Sequence, residues 1–111
     1  MQVESHHTIK SKRNMDYKLF WSDESLDNLK GIISYLESEW SEKEVVAFKK
    51  KLSRQLDLIV MNPKLFPISD FQPRLRKAVL SKQTTIFYEL KEFEIHIAYL
   101  FSNRMDIKKV K

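Results

Sequence analysis

The polar and apolar positions change their spacing twice along the chain. Residues 1–14 contain only Met1, Val3 and Ile9 as apolar positions, without period, and read as a flexible extension. Residues 16–21 (D-Y-K-L-F-W) are aromatic-rich and alternate at first, which predicts a short strand. Ser22 follows as an N-cap, with Asp23 and Glu24 suited to the positive end of a helix dipole. Leu26, Leu29, Ile32, Ile33 and Leu36 then share one helical face, and the helix is expected to end near Glu39. S-E-K-E at 41–44 fits a capping box, with Trp40 and Val45 at the staple positions, so a second helix opens directly. Val45, Phe48, Leu52, Leu56 and Ile59 carry its apolar stripe until Asn62-Pro63 stops it. Two helices with so short a joint predict an antiparallel hairpin.

After a loop over residues 64–73 the period becomes two. Leu75 and Val79 alternate with Arg74, Arg76 and Ala78, which places the two arginines on the face away from the apolar pair. Residues 84–90 (T-T-I-F-Y-E-L) are β-branched and aromatic, and Ile95, Ile97, Tyr99 and Phe101 are expected on one face of a last strand. Short connections make these three strands an antiparallel meander. The expected fold is α+β, in the order β-α-α-β-β-β: a helical hairpin packed on one face of an antiparallel sheet, forming a single domain over residues 15–111. The other sheet face is left for solvent or a partner.

Composition narrows the chemistry. The chain of 111 residues has no cysteine, which removes disulfides, thiolate nucleophiles and cysteine-ligated metals. Its one glycine, Gly31, cannot build the glycine-rich loops that cradle nucleotide phosphates. Neither a membrane-spanning run nor a secretory leader is visible, so a cytoplasmic protein is expected. The net charge of +5 is unevenly placed: residues 1–14 carry +2, residues 15–72 carry −2 and residues 73–111 carry +5. A basic final third suits a polyanion or an acidic protein partner.

Candidate site residues follow from that charge. Arg74, Arg76, Lys77, Lys82 and Arg104 are expected to converge toward one end of the open sheet face, where they can cradle an anion. Tyr88 and Tyr99 are candidate stacking platforms, although aromatics of central strands are more often core, and His96, out of phase with Ile95 and Ile97, should point to the open face. His6-His7 is too short and isolated for a metal site, and no cofactor is implied.

In this order the motifs resemble the RelE/ParE superfamily, the toxins of bacterial type II toxin–antitoxin modules, some of which serve plasmid stabilization. They are Y-K-L-F-W-S at 17–22, L-x-x-L-x-x-I-I-x-Y-L at 26–36, W-S at 40–41 and N-P-x-x-F-P at 62–67. L-R at 75–76, I-F-Y at 86–88 and N-R-x-D at 103–106 complete the set. The resemblance covers residues 15–109 and implies the fold derived above. It also implies a cognate antitoxin with an acidic or amphipathic C-terminal segment, with DNA contacted only through that antitoxin and no membrane involved. Two activities fall within the resemblance. RelE-like members cut mRNA on the ribosome, and Arg76, Arg104 and Lys82 would be the candidate catalytic residues; ParE-like members bind and poison DNA gyrase. A third possibility is a degenerate toxin that only binds its antitoxin. Metal-free RNA cleavage needs a proton donor and acceptor beside its cations. Ser102-Asn103 stands where several mRNA-cleaving relatives carry His, Thr85 where some carry Arg, and the chain stops at Lys111 without a C-terminal helix and tyrosine. Those departures favour the non-catalytic, growth-inhibiting, gyrase-directed class.

Overall fold

The structure is a computed structural model that describes residues 17–103. Arg104 and the extension at 1–14 lie outside the described residues. The elements are β1 (Lys18–Trp21), α1 (Asp23–Glu39), α2 (Glu42–Met61), β2 (Arg76–Val79), β3 (Thr84–Lys91) and β4 (Glu94–Ser102). The sheet order is β1-β4-β3-β2. The expected antiparallel meander is present in β2, β3 and β4, while β1 adds beside β4 in parallel, so the four-stranded sheet is mixed. The hairpin of α1 and α2 lies between β1 and the meander in sequence, which supplies the long crossover that a parallel neighbour requires.

Both helices turn their apolar stripes to one sheet face. Ile32 and Leu36 of α1, and Val45, Leu52, Leu56, Ile59 and Val60 of α2, are buried against Leu19, Ala78, Ile86, Tyr88, Ile95, Ile97 and Leu100. Removing each such aliphatic side chain from water contributes about 1.5–3 kcal/mol, which is the main force holding the layers together. No helix among the described residues is long and apolar enough to cross a membrane.

The phase of β4 differs from the simple alternation. Tyr88 faces Ile97 but Phe87 faces Tyr99, so Ala98 is an extra residue in the ladder. This bulge flips every later side chain. Ile95 and Ile97 point into the core as expected; Tyr99 and Phe101 point outward, and Leu100 and Ser102 take the inner positions. β4 also runs past Ile97, the last residue opposite β1, leaving polar backbone without a strand neighbour there. Helix α1 supplies the partners. Ser22 Oγ donates to the Ala98 carbonyl at 2.7 Å, and Asn28 Oδ1 accepts from the Leu100 N–H at 2.9 Å.

Ser22 therefore serves twice, because its Oγ also accepts the Ser25 N–H at 3.0 Å as the N-cap of α1. Ser41, expected to form a capping box, occupies the N-cap of α2 without a side-chain bond; its carbonyl takes the Glu44 and Val45 N–H groups. The two serines should thus respond differently to truncation. Ser22→Ala is expected to cost about 1–2 kcal/mol in urea unfolding, and Ser41→Ala no more than about 0.5 kcal/mol. Equal losses would contradict this assignment.

Candidate functional site

The segment between α2 and β2 is fixed by two side chains of the sheet. Tyr88 is fully buried, and its hydroxyl donates to the Pro63 carbonyl at 2.6 Å. Its neighbour across the ladder is Arg76, whose guanidinium donates to the Phe66 carbonyl at 2.7 Å and the Lys64 carbonyl at 3.3 Å. The Phe66 ring meets Tyr88 edge-on, with centroids 6.3 Å apart. Along the outer edge of β2, the Lys77 N–H reaches the Pro67 carbonyl and Ile68 bridges Arg76. The N-P-x-x-F-P stretch is thereby laid against the sheet edge, and that edge is closed to further strands.

This arrangement corrects two expectations. Arg76 does not share an open face with Arg74: it sits opposite Tyr88, on the helix-bearing side, in phase with buried Ala78. The reason is that β2 begins only at Arg76. Leu75 precedes the strand and is fully buried, its carbonyl accepting the Ser69 N–H, while Val79 is 59 % exposed. Tyr88 is likewise no surface platform, since its ring lies wholly in the core.

The remaining described candidates do not converge. Arg74 bonds Glu89 at 3.2 Å near the β3–β4 hairpin, whereas Lys82 is exposed in the β2–β3 turn. Roughly 17 Å of strand separates these two ends. Lys77 lies between them, opposite Phe87. His96 does face outward; its Nε2 lies 2.9 Å from Glu94 Oε1, and its ring stacks on Phe20 at 5.2 Å between centroids. Among the described residues no cluster of three metal-ligating side chains is present.

What the open face offers instead is aromatic surface. Phe20 stacks with His96, Phe87 stacks with Tyr99 at 4.7 Å, and Phe101 follows beyond. The Tyr99 and Phe101 part of this face depends on the bulge at Ala98, so strict alternation misassigned it. The doublet of outward aromatics flanking a buried Leu100 was the available signal.

Comparison with solved structures agrees with this architecture. The chain is similar to a component of the chromosomal ParDE toxin–antitoxin system from P. aeruginosa, with a TM-score of 0.65 and 14 % identity over 86 % of this chain and 97 % of that one. It is also similar to YafQ from E. coli strain BL21(DE3), with a TM-score of 0.54 and 12 % identity over 80 % and 96 % of the two chains. A chain of the E. coli DinJ–YafQ toxin–antitoxin complex gives 0.55 and 11 % over 80 % and 94 %. The fold is of the RelE/ParE type. No family model and no curated protein sequence matches the chain.

Within this RelE/ParE-type fold, the Tyr88–Pro63 contact has a measurable signature. Burial raises the tyrosine pKa above its ordinary value near 10, and the Arg76 charge opposes that rise only in part. As pH climbs, the unfolded chain loses this proton first, so stability present below about pH 10 falls above it. Tyr88→Phe should cost about 1–2 kcal/mol near neutral pH through the lost hydrogen bond. It should also flatten the decline in urea midpoint between about pH 9 and 11. A variant as stable as the parent, with the same alkaline slope, would remove Tyr88 from this role.

Proposed function

We propose that the chain is the toxin of a type II toxin–antitoxin module that arrests growth by binding a protein target, DNA gyrase being the candidate, and not by cutting RNA. The similarity in fold to ParDE and YafQ chains supports the toxin role. The observation that carries the choice of mechanism is the use made of Arg76 and Tyr88. Both side chains, candidates for phosphate binding and stacking, are committed to the carbonyls of the loop. Arg74 is paired with Glu89, and the free lysines are spread along the sheet and not gathered on one phosphate position. Among the described residues such a surface offers binding without the convergent cations that would hold a phosphodiester for cleavage. The cognate antitoxin would present an acidic or amphipathic segment to the basic C-terminal third, and the encounter would take place in the cytoplasm.

One feature favours a second reading. His96 stands on the open face within its Glu94 contact, opposite Glu89 of β3, which bonds Arg74. From that position a proton could be exchanged with an RNA substrate in a ribosome-dependent cleavage. Induction of the chain without antitoxin separates the readings. Gyrase poisoning gives filamentation, an SOS response and loss of plasmid supercoiling with intact transcripts, and His96→Ala then arrests growth as well as the parent. Rapid transcript cutting that His96→Ala abolishes would establish the nuclease instead. An inert chain would leave only antitoxin binding.

A further inference from the structure

Phe71 is 95 % exposed, more than any other large apolar residue of the described chain. It is nonetheless not on a loose segment. Ser69, itself 5 % exposed, turns its Oγ toward the Phe71 and Gln72 N–H groups at 3.3 and 3.4 Å. The Ser69 N–H donates to the Leu75 carbonyl, and the Leu75 N–H to the Gln72 carbonyl, each at 2.8 Å. Below this turn the Arg76 and Tyr88 bonds hold the start of the loop. An aromatic ring is therefore presented to solvent on a backbone that has already lost its freedom. Such a ring binds with little further ordering cost, which is the property of an interface anchor.

We propose that Phe71 is the anchor by which this chain grips its protein target, entering an apolar pocket rimmed by carboxylates. This rests on the reading of the chain as a target-binding toxin. The same loop exposes Leu65 at 65 % and Ile68 at 49 %, aliphatic side chains that give a nucleic-acid base nothing to stack on and suit a protein surface. Charge supplies the rim. Residues 62–79 contain Lys64, Arg74, Arg76 and Lys77 against Asp70 alone. Neither Lys64 nor Lys77 has an ion-pair partner among the described residues. A partner with acidic residues around its pocket would meet these cations while the ring is buried.

The test uses the full chain, Phe71→Ala and the double variant Lys64→Glu/Lys77→Glu, with purified DNA gyrase as the binding probe. Because the ring is exposed, Phe71→Ala should keep the parental melting temperature. It should bind gyrase at least about thirtyfold more weakly and lose growth arrest on induction. The charge variant should bind about tenfold more weakly at low salt, and added salt should erase that difference. Full arrest by Phe71→Ala overturns the anchor. Weak binding by Phe71→Ala beside an unaffected charge variant overturns the acidic rim. Loss of affinity for the purified antitoxin, or for a single-stranded RNA, with arrest intact assigns the ring elsewhere and overturns the proposal. If the parent arrests growth without binding gyrase, the gyrase reading fails alone and arrest by the variants decides the anchor. If the parent is inert, the toxin reading and the anchor fall together.

Discussion

The contact on which the functional surface depends is the pairing of Arg76 and Tyr88 with the carbonyls of the loop after α2. A loop that crosses a sheet edge carries backbone oxygens that must find donors. Here a buried phenol and a guanidinium provide them, at Pro63, Lys64 and Phe66. Neither donor could be exchanged for an apolar residue of similar size without leaving a carbonyl unpartnered. The bonds fix the path of the loop, and the loop in turn covers the edge of β2 and carries the exposed Phe71. Residues that looked like chemistry are used to hold the backbone in place.

The same contact gathers motifs from three parts of the chain. N-P-x-x-F-P, L-R and I-F-Y lie far apart in sequence, yet their residues meet at this one junction. That junction fixes the path of the loop along the sheet edge. It places no demand on what the opposite sheet face does. Among the described residues that face carries the stacked rings of Phe20 and His96 and of Phe87 and Tyr99.

Most of the architecture was legible because helices announce themselves over many residues. The stripes from Leu26 to Leu36 and from Val45 to Ile59, and the stop at Asn62-Pro63, all correspond to observed boundaries. Short strands gave less. In β2, four residues are too few for alternation to fix a phase, and the turn before Arg76 shifted it. In β4 one extra residue, Ala98, reversed the second half, and nothing in the identity of an alanine signals that insertion. Capping showed the opposite kind of error: Ser41 had the better local motif, but Ser22 forms the bond, because β4 gives its hydroxyl a second use. The site candidates suffered most. Residue type identified Arg76 and Tyr88 as able to bind; only the loop's path shows what they bind.

The parallel seam between β1 and β4 bears on how this molecule comes into being. Ser22 and Ala98, joined across that seam, are 76 positions apart. A ribosome making the chain releases β1 and both helices long before the strand that completes their core exists. During that interval the apolar stripes of the hairpin have no sheet to lie on, and closing so large a loop is slow. The finished surface thus arrives all at once, only after β4 has been made. Until then the helical hairpin lacks the sheet that buries its apolar stripes.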